Sequence, residues 1–320
     1  MTQPKTSTFQ QKMAVKFVQL LSGSPTGAPP WLDVVAEGDT AGLFLPSDAP
    51  WLVHNDMATL VGGIRALLLQ ALHPGSLAGV AQHSRYKQDA LGRLAGTIRW
   101  LTVTTYGSTA AVAAEAGRVN RLHDRVNGEF TSGSGERQPY SARQTDLLRW
   151  VHIAFCDAFL TSHQMFSREA IPGGADNYVA QWARSVELLG LDPATLPITA
   201  DAMHAEIQLL IADGVLVSSD QTRDVVKFIR RPPLKPATRV AYWFLFQGAV
   251  QTLPLNIRQM LGVRALLPKA IIVPLVSAGL RGIRALIGHR SPIVEAALAR
   301  LSRAGVWPPA DVLASERSNG

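Results

Sequence analysis

Residues 142–166, ARQTDLLRWVHIAFCDAFLTSHQMF, carry apolar side chains at three- and four-residue intervals from one end to the other. At about 100° per residue, Leu148, His152, Phe155, Cys156, Phe159, His163 and Phe166 share one face. A stripe that long must be covered by other helices. The rest of the chain agrees. Residues 57–72 are apolar all round and end at His73-Pro74, where proline disfavours helical geometry. Residues 89–107 repeat Leu91, Leu94, Ile98 and Leu101, and a third helix is expected from about Thr109 to Val126. Residues 175–190 end on Gly190, as a helix C-cap should, and Thr199 to Asp201 is a helix start signal. The stretch NGEFTSGSGERQPYS reads as a loop, and neither alternating strand runs nor hairpin signals appear. The expectation is an all-α fold. It comprises a single large helical domain over residues 31–302, a loose arm at 1–30 and a polar tail at 303–320, with no internal repeat and no linker.

With 320 residues, 47% hydrophobic and 17% charged, a large core is available. The one cysteine, Cys156, excludes a disulfide framework within the chain and any CxxC site, which points to a reducing compartment. The apolar patch Met13 to Leu21 is interrupted by Lys16 and Gln19, unlike a secretory leader. A cytoplasmic location follows, with peripheral membrane contact as an addition to it. The net charge of +7 is unevenly placed: residues 223–290 hold twelve Lys/Arg against the single acid Asp224. Residues 240–257 are uncharged over a length at which a membrane span must be considered. Gln247, Gln251, Thr252, Pro254 and Asn256 make them a poor span, and the apolar run 270–280 is too short. Apolar helices flanked by arginines fit a buried core with a basic rim, the favoured reading, or a helix pair lying on an anionic membrane surface. Nucleic-acid binding is not expected, because neither helix-turn-helix spacing nor a basic aromatic strand is present.

HExxH, Glu-x-x-His, GxSxG, Walker A and GxGxxG patterns are all absent, so zincin, carboxylate di-iron, hydrolase and nucleotide chemistries lose their signatures. Histidines remain. His123 lies in the stripe Val112, Ala116, Val119, His123, Val126, while Arg118, Arg121 and Arg125 point away. It is either a core histidine bonded to a carbonyl and a hydroxyl, or a ligand with a metal on one nitrogen and a hydrogen bond on the other. His152 is either a buried histidine bonded to a neighbouring helix or part of the wall around a flat cofactor. Gly92 and Gly96 leave one helix side bare beside Arg93, Thr97, Trp100 and Thr104. Such a face suits close helix packing, or the approach of a planar anionic molecule of haem's character.

The stretches LVGGIRALLLQALHP, DALGRLAGTIRWL, RVNRLHDRVNGEF, DLLRWVHIAF, VELLGLDPATLPIT and TLPLNIRQMLGV, in this order, resemble the family joining MpaB-type oxygenases to latex-clearing proteins, the rubber oxygenases. The resemblance covers most of residues 50–265. It implies an all-α fold with a globin-related core and a b-type haem. It carries the axial iron ligand onto His123, the distal-side donors, candidates for a catalytic role, onto Arg93 and Thr97, and a second sensitive histidine onto His152. The chain departs from the rubber oxygenases at Gly96, where they have lysine, and in lacking their glutamate base: residues 57–114 contain Asp89 as their sole acid. The function implied is a haem-b-dependent oxygenase using O2 on a hydrophobic, lipid- or terpenoid-like substrate. The alternative is a non-catalytic haem- or lipid-binding protein at a membrane surface. Oligomeric state is not indicated.

Overall fold

Two of the most apolar segments pair at the centre of the molecule. In the computed structural model, which describes residues 15, 16, 19, 24, 28–83, 90–287 and 291–308, they are α3 (Thr59–Gln70) and α7 (Thr145–Phe166). They run antiparallel, because Gly62 faces Phe159, Arg65 bonds Asp157, and His73 stacks on Trp150. The approach is close at Gly62, where a Cβ would sit 2.7 Å from the Phe159 ring and 3.2 Å from the Ala158 carbonyl oxygen. Any larger residue would push the two helices apart. Leu68, Leu69, Leu72, Ile153 and Leu160 are fully buried around this contact. Truncating one such leucine to alanine costs about 2–5 kcal/mol.

Ahead of the pair come α1 (Leu32–Ala36) and α2 (Ala49–Asn55). Between its two members lie α4 (Pro74–His83), α5 (Ala90–Tyr106), α6 (Thr109–His123) and a hairpin of β1 (Asn127–Thr131) and β2 (Arg137–Ser141). After it follow α8 (Gly174–Trp182), 3-10 helices at Ala183–Leu189 and Pro193–Thr195, α9 (Ala200–Ala212) and α10 (Asp220–Arg230). The chain continues through α11 (Pro236–Thr252), α12 (Leu255–Met260), α13 (Lys269–Ile287) and α14 (Pro292–Arg303). Fourteen α-helices and one two-stranded sheet among the described residues make the fold all-α, as expected. Caps also follow expectation: the Thr199 hydroxyl accepts from the Ala202 amide, and Gly190 takes a left-handed φ of 92°.

A second apolar cluster joins α1, α2, α5 and α14 through Trp31, Trp51, Tyr106, Ile293 and Leu301. Arg300 is buried inside it and donates to the carbonyls of Val35, Thr40 and Tyr106. These bonds remove the desolvation penalty that a buried guanidinium would otherwise carry and pin the last helix to the body.

Three expectations need correction. The loop at 127–141 is a β-hairpin with Gly128 opposite Tyr140 and Phe130 opposite Gln138. Tyr140 and Phe130 pack with Ala78 and Leu147, so two inward aromatics give an otherwise polar stretch a reason to pair. The apolar run 270–280 is not too short. It extends to the nineteen residues of α13, passing through Pro274. The favoured core reading of the basic apolar segment holds for the end of α11, where Phe246, Ala249 and Val250 are buried, and fails for the outward face of α13. The calls for the arm at 1–30 and the tail at 303–320 fall largely outside the described residues.

Candidate functional site

Helices α5 and α6 form an antiparallel hairpin whose turn is just Gly107 and Ser108. The Ser108 hydroxyl caps α6 by accepting from the Ala111 amide. The register is fixed eight residues from the turn, where Arg99 Nε donates to Glu115 Oε2 at 2.8 Å. Arg118 donates to the same buried carboxylate. Burial would raise the Glu115 carboxyl, and its bonds to Arg118 and Arg99 outweigh this and hold it below the usual range. At about 1.5 Å per residue, Arg93 on α5 and His123 on α6 both lie roughly 10 Å beyond this tie, at the open end of the hairpin. Thr97 is one turn closer. The topology thus places Arg93 and His123 toward the open end of one hairpin and Thr97 near its middle. The Arg93 side chain lies outside the described set.

His123 closes α6. Its Nδ1 is buried and has no hydrogen-bond partner among the described residues. A helix C-terminus and the neighbouring Asp124 favour a charged imidazole. Burial and Arg143 prevail, and the pKa is lowered. The ring is therefore neutral at pH 7 with a free nitrogen, the form that binds a metal.

His152 lies in the third turn of α7. It is buried and stacks on Trp182 at 6.4 Å, with planes 16° apart. Burial, helped by Arg149, lowers its pKa to about 3. The 3-10 helix Ala183–Leu189, directly after Trp182, packs on both α6 and α7. Asn120, one turn before His123, donates to the Leu188 carbonyl. His152 and His123 are therefore bridged by one short segment.

Residues 94–102 of α5 are partly buried at every position, with no fully buried residue among them. A Cβ added at Gly96 would meet nothing within 4 Å. Val80 and Ala81 of α4, Leu101 of α5, and Val151 and Phe155 of α7 are partly buried apolar residues facing the main core. Beside His123 Nδ1, the Asn120 Oδ1 atom one turn earlier on α6 is also buried without a partner among the described residues. A separate cleft of about 580 Å³, lined by Glu37, Arg99, Glu115 and Arg118, is on another face of α5, because residues 97 and 99 are about 200° apart on the helix.

A family model for the catalytic domain of ER-bound oxygenase mpaB/B′ and rubber oxygenase matches residues 51–287. The chain belongs to this oxygenase family. Searches of curated proteins and of solved structures return no match. The match spans α2 to α13, so it takes in the α5–α6 hairpin, α7 and the central pair. Among the described residues no three His, Cys, Asp or Glu side chains gather as a metal site. Haem iron takes four ligands from the porphyrin and needs one from the protein, and a neutral imidazole such as His123 is a donor of the type that serves it.

Two polar centres of this family member escaped sequence reasoning. His54 bonds Thr105 Oγ1 through Nδ1 at 2.8 Å and the Tyr178 hydroxyl through Nε2 at 2.9 Å. It meets Trp182 edge-on at 4.5 Å, so Trp182 is flanked by two buried histidines. Inside the core, Asp157 Oδ2 accepts from Arg65 Nε and Nη2 at 2.9 and 2.6 Å, and Oδ1 contacts His204 Nε2 at 3.1 Å. Burial would raise the Asp157 carboxyl; Arg65 and His204 hold it below its usual value. The signal was readable. Arg65 is the lone Lys, Arg, Asp or Glu of α3 and Asp157 the lone one in residues 150–166 of α7, and such charges pair.

Proposed function

We propose that the protein is a haem-b-dependent oxygenase that oxidises or cleaves a hydrophobic, lipid- or terpenoid-like substrate with O2. The observation that carries this reading is the buried Nδ1 of His123, without a partner among the described residues on a ring whose pKa is lowered, toward the same end of the hairpin as Arg93. His123 would hold the haem iron. On the α5 side, Arg93 would supply a positive charge and Thr97 a hydroxyl to the bound group. His152, held neutral and stacked on Trp182, forms part of the wall. When bound, haem supplies iron that can react with oxygen, and pocket polarity decides between storage and activation. The half-buried Leu101, Val151 and Phe155 exclude water and receive an apolar substrate. Gly96 leaves room where rubber oxygenases carry lysine, so the substrate approaches α5 more closely here. The single buried cysteine suits a cytoplasmic protein that takes such a substrate from an anionic membrane surface.

The test is a visible spectrum with pyridine haemochrome analysis of the purified protein beside His123→Ala. A Soret band that is lost or shifted in the variant supports axial ligation. Absence of haem after reconstitution refutes it. Oxygen uptake with alkenes, sterols and fatty acids then separates the enzyme from a haem carrier: bound haem with no uptake on any of them favours the non-catalytic alternative.

A further inference from the structure

Helix α13 has two unlike faces. Ile272, Val276 and Leu280 are buried, with Val276 against Gly248 of α11. The Ser277 hydroxyl reaches the Phe166 carbonyl, and Arg284 donates to the Asn55 carbonyl. The opposite face presents Ala270, Ile271, Pro274, Leu275, Ala278, Gly279, Gly282 and Leu286, all exposed. Ile271 and Leu275 are each 48% exposed, and just 17% of the helix's most apolar window is buried. A surface helix of a soluble domain puts charged or amide side chains on that face. Here the charges are confined to Lys269 at the start and Arg281 toward the end. Val240 of α11 and Leu266, in the loop leading into α13, add further exposed apolar area. That loop is tied to α11, because the Leu266 amide donates to Gln247 and Gln251 to the Leu267 carbonyl.

We propose that α13 is an in-plane membrane anchor that sinks its outward face into the surface of an anionic bilayer. Charge selects this occupant. Residues 225–294 contain eleven Lys/Arg and no Asp or Glu, and Lys235, Arg239, Arg264, Lys269 and Arg281 are exposed. A basic rim around an apolar helix face is the pattern of interfacial helices on anionic lipid. Length and composition would let α13 cross a membrane. Its inward stripe and the bonds to Phe166 and Asn55 hold it against the body, so it lies flat. The inference rests on the proposed lipid-like substrate only for its purpose; its test does not involve haem or turnover.

The experiment is flotation of the full chain with phosphatidylcholine vesicles, with or without phosphatidylglycerol, at low and high salt. The wild type should float with the anionic vesicles and lose much of that binding in high salt. Ile271→Glu combined with Leu275→Glu should lower partitioning by about tenfold or more. Leu209→Glu, on the exposed part of α9, should not. As a second probe, Leu275→Cys carrying an environment-sensitive dye should shift to the blue on anionic vesicles, since Cys156 is buried and takes no label. Failure of the wild type to float at low salt, equal flotation of the double variant, or an unshifted dye would overturn the proposal. So would a wild-type dimer that the double variant breaks without any vesicle binding, because a second copy would then cover the face.

Discussion

Two buried histidines should make the haem-free protein sensitive to mild acid. His54 and His152 each have a pKa lowered to about 3, in both cases chiefly by burial. In the unfolded chain both titrate near the ordinary histidine value of about 6.5. Between those limits the unfolded state binds two protons that the folded state refuses. Stability is thus fully present above the unfolded value and falls as the pH drops toward the folded one. At about 1.4 kcal/mol per pH unit for each group, going from pH 7 to pH 5 removes about 2 kcal/mol per histidine, or about 4 kcal/mol together. Against a total of about 5–15 kcal/mol this is a large share. His204 works in the opposite direction. Its bond to Asp157 raises its pKa, so it stabilises below the unfolded value and loses that contribution as pH rises through the folded one. It is half exposed, so solvent screens the effect. The assay is urea denaturation at 25 °C at pH 7, 6 and 5, for the wild type and for His152→Phe, which keeps an aromatic ring against Trp182 and removes one titrating site. The variant should lose about half as much stability over that range. A wild type equally stable at pH 7 and pH 5, or a variant with an undiminished slope, would refute the reasoning.

Asp157→Ala should destabilise by about 3–5 kcal/mol, since it strands the Arg65 guanidinium in the core; the pair Arg65→Met with Asp157→Leu should recover most of the loss in the same denaturation assay. Gly96→Ala should stabilise the haem-free protein by about 0.5–1 kcal/mol, because helix propensity rises and the new methyl meets nothing. Gly96→Phe should instead abolish the Soret band on reconstitution while leaving circular dichroism unchanged; normal haem uptake would show that Gly96 does not face the cofactor. Burial pushes the Cys156 thiol well above its usual value, so a thiol reagent should react at the rate of unfolding and not before.

The fold was legible wherever a periodic stripe ran long enough to need a partner. The α7 stripe, the α5 repeat and the Gly190 stop all appear in the structure close to where they were read. The hairpin at 127–141 was not, because it is polar outside and depends on two inward aromatics that pattern alone does not distinguish from a loop. The outward face of α13 was hidden for a related reason: an apolar run states that it avoids water, and only the packing shows which side is covered. At the site, His123 was singled out by its place in a stripe, and the structure adds that its Nδ1 is buried without a partner among the described residues. His54 was missed because its partners Thr105 and Tyr178 are 51 and 124 residues away, a separation that no local spacing reveals.

The two-residue turn between α5 and α6 also sets an order of assembly. The hairpin carrying Arg93, Thr97 and His123 closes on contacts local in sequence, which form early. During synthesis it is complete before α7, Trp182 and the segment at 183–189 have been made. One wall of the proposed haem site is therefore built first, and the elements that shut its other side arrive from later in the chain. On that proposal, a rigid disc is more easily laid against a half-built pocket than threaded into a finished one.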